Sequence, residues 1–412
     1  MSFGIGLSGL NAARQDLDVI SNNIANSNTV GFKSSRTEFA DLYASSVGGS
    51  ASKGTGVQLA NTAQQFSQGD RINTENSLDM MITGNGYFVV DQNGEKSFTR
   101  AGYFALDAEK NVVNNQGLNL QGYAADASGN ILPGTLADLK ISQSELPATA
   151  TTNVTGAANL DSRNTVPSVG TFNPSDPNSY NSTMAFNVYD SQGNPHTLSM
   201  YFVKDSTPNQ WTVNFQFDNA TINNAGGTPI GSQTIAFNSS GQLLSGGTFS
   251  IPVPEATNAS LVGVADMTMN LDLGSFSQLG SDFTVNKATQ DGFPPGQLTG
   301  LEVSKDGVLK ALYSNGQNAV QGQIVLASFP NDNGLIPSGD SLWSASFSSG
   351  SPLFGSAGKG SMGNLQSAAL EQSNVDLSRE LVRLIEAQRN YQANAKTIET
   401  SSSLTQTLMQ II

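Results

Sequence analysis

Apolar residues return every seven positions at both ends of this 412-residue chain. Near the start, Phe3, Leu10, Leu17 and Ile24 form one line, and Ala13 and Ile20 lie three residues after two of them. Gly6 and Ser27 take the remaining places of that second line and weaken it, while Arg14, Gln15, Asp16 and Asp18 fall off it. A repeat of about 3.5 residues predicts a helix with a coiled-coil seam. An amphipathic helix packed on the chain's own domain satisfies the same spacing. The other end mirrors the first. Leu377, Leu384, Tyr391, Ile398, Thr405 and Ile412 recur at sevens, and Leu381, Gln388, Ala395, Ser402 and Met409 follow each of the first five by four. Ser373 and Asp376 offer N-caps, spaced as an approximate capping box. The absence of Pro and Gly after them predicts one long helix over 373–412.

Between the ends the period changes to two. Short alternating runs bounded by glycine turns fill 76–147 and 294–365. In YFVVDQNGEKSFTR, Asn93-Gly94 separates Val89-Val90 from Phe98-Thr99, which predicts a hairpin closed by a two-residue turn. FNVYDSQGNPHTLSMYFV, from Phe186 to Val203, predicts a second hairpin turning at Ser191 to Pro195, and QWTVNFQF, from Gln210 to Phe217, a third strand. Residues 148–293 therefore form an all-β insertion, with ATATTNVTGAAN, from Ala148 to Asn159, as its leading linker. The predicted fold class is α+β and multidomain: terminal α-helical coiled-coil segments flank nested, mainly-β domains. The segments are 1–30 with 373–412 (helical), 31–75 with 366–372 (connecting), 76–147 with 294–365 (inner β) and 148–293 (outer β).

Composition narrows the function. Charged residues make up 13% of the chain, about half the usual share. The net charge of −14 and the absence of any basic run exclude nucleic acid as a partner. No apolar stretch of membrane-spanning length occurs, so no membrane insertion is expected. The N-terminus has neither a cationic n-region nor a continuous h-region, which argues against a cleavable signal peptide. There is no cysteine, and the single histidine, His196, reads as a turn residue without partners for a triad or a zinc site. Gly84-x-Gly86 precedes a strand and lacks the lysine of a phosphate loop. No catalytic residue, metal ligand or cofactor is expected.

One polar cluster stands out. SNNIANSNTVGFK, residues 21–33, places four asparagines between Asn22 and Asn28, at the end of a helical pattern that asparagine disfavours. These amides either stop the helix, with Asn28 or Gly31 in left-handed geometry, or stop it and also contact a second chain. SGLNAARQDLDVISNNIANSNTVGFK, from Ser8 to Lys33, resembles the N-terminal signature of the bacterial flagellar rod and hook family. SNVDLSRELVRLIEAQRNYQANAKTIET, from Ser373 to Thr400, resembles its C-terminal signature, and GNGYFVV and FTRAGYFALD its first β domain.

The resemblance covers both ends and the outer β regions, and the large central insertion places the chain nearer the hook members than the shorter distal-rod ones. It implies a structural subunit that self-associates into a helical, curved tube acting as a universal joint between rod and filament. Its implied partners are the rod, the hook–filament junction and hook cap proteins, and the flagellar type III export apparatus. Its implied location is extracellular. The N-terminal motif then comprises Ser21, Asn22, Asn23, Ala25, Asn26, Asn28, Gly31 and Phe32. The assembly seam comprises Leu10, Leu17, Ile20, Ile24, Leu377, Leu381, Leu384, Tyr391, Ile398 and Met409. A distal-rod subunit, or an extracellular β-rich binding module on a coiled-coil stalk, is the alternative.

Overall fold

The computed structural model describes residues 2–43, 54–92, 94–126, 128–141, 145–224, 226–227 and 229–411. Helix α1 runs over Ser2–Ala25 and helix α2 over Leu377–Ile411, and every longer element between them is a strand. The Asp376 carboxylate caps α2 by accepting from the Ser378 and Arg379 amides at 3.0 and 3.1 Å. Ser373 instead accepts from Val375, so no capping box forms. Two helices thus flank a mainly-β body.

The chain divides into two compact units. The first joins residues 1–142, 300–312 and 318–412, so both helices belong to it; the second comprises 143–299 and 313–317. In the first unit, strand β1 (Ser35–Tyr43) pairs antiparallel with β2 (Gly54–Gln64) in a two-stranded ribbon. A ribbon of two strands is marginal alone, and α1 packs along this one. The unit's larger sheet contains the expected hairpin, Tyr87–Gln92 with Glu95–Thr99, in the register Val89 to Phe98. Gly94 has φ of 93°, as its turn requires, while Asn93 lies outside the described residues. Tyr87, Phe98 and Trp343 form the unit's buried aromatic core with Leu335.

The second unit holds two sheets around one apolar core. Strands Ser182–Tyr189, Pro195–Lys204 and Gln210–Phe217 are consecutive neighbours in one sheet, matching the predicted hairpin and third strand. Their alternation puts Phe186, Leu198, Met200, Trp211 and Val213 inside. The predicted linker is a correction. Asn153–Asp161 is a strand of the other sheet, parallel to Met267–Asp272 and Ser277–Leu279 and antiparallel to Thr284–Gln290. Its small residues are packing devices: a Cβ on Gly156 would come within 3.2 to 3.3 Å of Leu273, Phe186 and Phe276. Low complexity here reflects close packing, not a tether.

His196 begins the strand Pro195–Lys204 and is buried. Its Nδ1 lies 2.6 Å from Asp218 Oδ2 and its Nε2 3.3 Å from Asp190 Oδ2, which fastens the hairpin to the next turn. Asp190 shapes that hairpin's turn by accepting from the Gln192 and Asn194 amides.

Candidate functional site

The sequence pointed to the terminal helices, and α1 and α2 do lie side by side. The shielded positions of the pair mix small, polar and large apolar groups. On α1, Gly6, Ala12, Ala13, Ile20 and Asn23 are buried. Gly9 permits the approach, because a Cβ there would sit 2.5 Å from Asn394 Oδ1 of α2. On α2, Glu380 and Ala387 are buried and Leu384, Asn394, Ala395 and Ile398 half-buried. The second inward line therefore follows the first by three residues, as Glu380, Ala387 and Asn394, and not by four, as Leu381, Gln388 and Ala395. Only Ala395 of the expected second line is shielded within the chain as far as Ser402.

The predicted seam residues accordingly split. Ile20 is buried, and Leu10, Leu17, Ile24, Leu384 and Ile398 are half-buried. Leu377, Leu381 and Tyr391 are exposed, at 47%, 44% and 37%. Met409 is in α2, but its side chain lies outside the described residues, as does Ile412. Phe3, Ile5 and Leu7 on α1 and Val382 and Ile385 on α2 add to the exposed apolar surface.

The asparagine motif resolves into separate roles. α1 ends at Ala25, where the Asn26 amide still reaches the Asn22 carbonyl at 3.1 Å. Asn23 is 1% exposed and works inside the chain. Its Nδ2 donates to the Ser35 carbonyl at 2.7 Å and its Oδ1 accepts the Ser35 amide at 2.9 Å, so one amide side chain pairs with β1 as a strand would. The same Nδ2 lies 3.5 Å from Glu380 at the start of α2. For Asn23, then, the hydrogen-bond partners are intramolecular. Asn26 caps the turn, donating to the Asn22 carbonyl and accepting from Thr29. Ser21, Asn22, Ala25 and Asn28 face solvent, and Phe32 is half-buried.

Left-handed geometry falls to Gly31, at φ 70°, and Asn28 does not share it. Gly31 lies beyond the helix end and serves a close approach: a Cβ there would sit 2.5 Å from the Ala101 nitrogen. Its own amide donates to the Glu371 carbonyl at 2.8 Å.

Just past the motif lies a buried ionic junction that sequence reasoning missed. Lys33 and Glu371 are both fully buried, with Nζ 2.6 Å from Oε1. Lys33 also donates to the Ser67 carbonyl at 2.8 Å. Glu371 Oε1 accepts the Gly69 amide at 2.9 Å, and its Oε2 lies 3.4 Å from Arg100 Nη1. Arg100 donates onward to the Gly84 carbonyl and covers the Tyr87 ring at 5.2 Å. Burial and the nearby Asp332 charge push the Tyr87 phenol's pKa up. Burial draws the Lys33 ammonium below its ordinary pKa, while the Glu371 charge and hydrogen bond oppose that shift. Asn374 completes the stitching: its Oδ1 accepts the Ser34 amide at 2.8 Å and its Nδ2 donates to the Gln65 carbonyl at 2.7 Å. Segments 31–34, 65–69, 84–101 and 371–374 thus meet where the chain leaves and rejoins the helices. One signal in the sequence marks this point. Lys33 ends a run of charge-free residues from Val19 to Phe32 in a chain poor in charge.

The arrangement ties four separated stretches of chain together through buried charges and amides. Among the described residues, no group of three or more His, Cys, Asp or Glu is placed to hold a metal, and no helix is long and apolar enough to cross a membrane.

Comparison with known proteins agrees segment by segment. Residues 3–33 match the family described as flagella basal body rod protein, and 81–155 the flagellar hook protein FlgE/F/G D1 domain. Residues 159–293 match the flagellar basal body protein FlaE D2 domain, and 366–411 the flagellar basal body rod FlgEFG protein C-terminal family. The flagellar hook protein FlgE of Salmonella typhimurium is 42% identical over 420 residues, covering 100% of both chains. That of Escherichia coli is 42% identical over 419 residues with the same coverage. The crystal structure of Helicobacter pylori flagellar hook protein FlgE2 shares the fold at a TM-score of 0.52 and 16% identity, over 73% of this chain and 100% of that one. The chain belongs to the flagellar hook protein FlgE family, whose members are structural proteins and not enzymes.

Proposed function

We propose that copies of this hook subunit polymerise through the outward faces of α1 and α2, which pack as a coiled coil against the helices of neighbouring copies. The observation that carries the reading is the exposed apolar surface on helices already paired with each other. Leu377, Leu381, Val382 and Ile385 stand 44–56% exposed along the first turns of α2, and Phe3, Ile5 and Leu7 44–52% along α1. An apolar surface of this kind on a soluble chain marks an interaction site. The predicted seam residues that the chain itself leaves uncovered, above all Leu377, Leu381 and Tyr391, become the inter-copy contacts, with Leu10, Leu17 and Ile24 flanking them.

In this reading the helices form the continuous inner element of a curved tube, and the buried Lys33–Glu371–Arg100 junction passes torque from them to the first unit's sheets. Surfaces rich in Ser, Thr, Asn and Gln let β regions of neighbouring copies exchange hydrogen bonds with water as the tube bends. The rod and the junction and cap proteins bound the tube, and the subunit reaches the cell exterior through the flagellar type III apparatus without a cleaved signal. The distal-rod alternative is not favoured, because relatives matching the whole chain are hook proteins.

Electron microscopy of the purified chain under assembling conditions tests the proposal. Replacing Leu381 and Ile385 together by Ser is expected to abolish tubes while leaving the monomer's melting temperature unchanged. Normal tubes from that variant would refute the assignment of this face.

A further inference from the structure

Phe347 is 103% exposed, more fully in solvent than any other large apolar side chain among those described. The loop that carries it is nonetheless built with care. The Ser346 hydroxyl donates to the Gly334 carbonyl at 2.5 Å and accepts from the Ser348 and Ser349 amides at 3.0 and 3.2 Å. The Ser349 hydroxyl returns to the Ser346 carbonyl at 2.8 Å, and Asn331 Nδ2 donates to the Ser348 carbonyl at 3.0 Å. Gly334 lies so close beneath that a Cβ there would sit 2.4 Å from Ser348. Asp332, between Asn331 and Gly334, lies within electrostatic reach of Tyr87. A loop held by this many hydrogen bonds fixes its tip at little entropic cost on binding, which suits a contact and is wasted on a free surface.

The same unit carries an open cleft of about 340 Å³, at the lower end of the roughly 300–1,000 Å³ range of ligand pockets. Phe32 and Tyr103 supply its aromatic sides and the nearly buried Trp343 its floor, with Asn22 and Asn115 as exposed amides at the rim and Asn26, which also caps the turn, beside them. Two of those amides come from the N-terminal motif and have side chains that the fold leaves within reach of solvent. An aromatic wall with an amide rim complements a phenylalanine set among serine hydroxyls and loop carbonyls: ring meets ring, and amide meets hydroxyl. Phe347 of the same chain does not fill this cleft, since it is wholly in solvent.

We propose that Phe347 of one copy seats in the Phe32–Tyr103–Trp343 cleft of the next. Knob and cleft are different patches of one chain, so the contact is heterologous and repeats without closing, as a helical polymer requires. The proposal rests on the reading that copies assemble, and adds a second contact to the helical one.

The chain contains no cysteine, which makes the test direct. One preparation carries Ser348→Cys and another Asn115→Cys, both at exposed positions. Mixed, assembled and oxidised, they are expected to give a disulfide-linked heterodimer that dilute mixtures do not give. Phe347→Ala is expected to raise the critical concentration for assembly about tenfold, as loss of an aromatic anchor does, with Phe347→Leu recovering most of the loss and neither variant altering the melting temperature. Absence of the heterodimer from assembled tubes, an unchanged critical concentration for Phe347→Ala, or a lowered melting temperature would each overturn the contact while leaving the helical reading intact. Failure of the unsubstituted chain to assemble at all would overturn the helical reading and this one with it.

Discussion

The terminal helix pair of the first unit and the two-sheet core of the second use apolar side chains in opposite ways. In the second unit, Trp211, Phe202, Phe217, Val213 and Leu198 are all fully buried, and the Trp211 indole N–H is satisfied by Gln278 at 2.8 Å. Along Ser182–Tyr189, Pro195–Lys204 and Gln210–Phe217 no large apolar side chain stands exposed, although Leu244, Leu279 and Val285 do on other strands of the unit. In the helix pair the close approaches are Gly6 to Ile398 and Gly9 to Asn394, while Leu377, Leu381 and Ile385 face outward. Small residues bring the helices close at little gain in buried area, and several large apolar side chains stay in solvent.

That contrast can be broken by substitution. The largest loss is expected from Trp211→Ala, about 3–5 kcal/mol, with Gln278 left unsatisfied, read as a lowered melting transition of the second unit. A loss confined below 1 kcal/mol would mean that this core is far looser than its packing. Glu371→Gln comes next. It leaves Lys33 and Arg100 buried without their counter-charge, a change that costs about 3 kcal/mol at a buried pair. Thermal denaturation should place that loss in the first unit alone.

Asp291→Asn sharpens the comparison at a solvent-facing position. Partial burial by itself would raise the Asp291 pKa, but hydrogen bonds from Asn153 and Thr152 outweigh it and hold it at about 2. With the folded value below the ordinary 3.8, the carboxylate's contribution is present above about pH 4 and lost as pH falls through about 2. The carboxylate is screened by solvent, so the substitution should cost about 1 kcal/mol or less at pH 6, and nothing at pH 2. Melting curves at the two pH values check this. An equal deficit at both would show that shape, not charge, matters there. Smallest of all on the monomer is the Leu381→Ser, Ile385→Ser pair, within about 0.5 kcal/mol as exposed sites usually are, although its effect on tubes is the largest.

Local pattern carried much of this architecture. Period seven marked both helices, and period two with Asn-Gly marked the Tyr87–Thr99 hairpin. Alternation alone found Ser182–Tyr189, Pro195–Lys204 and Gln210–Phe217. The strand Asn153–Asp161 escaped because Ala and Gly carry no strand signal. Only three neighbouring strands, shared between its two edges, make them a packing surface.

By itself the sequence determined most of the elements and the family, since each rests on residue types at short spacing. Tertiary structure alone decided which face of α2 turns inward, because a seam shifted by one residue satisfies nearly the same periodicity until α1 is in place. It alone gave Asn23 its partners at Ser35 and Glu380. It alone also joined Lys33 to Glu371, 338 positions away. Burial of a charge is a property of what surrounds it, and the surroundings here come from four separated stretches of chain.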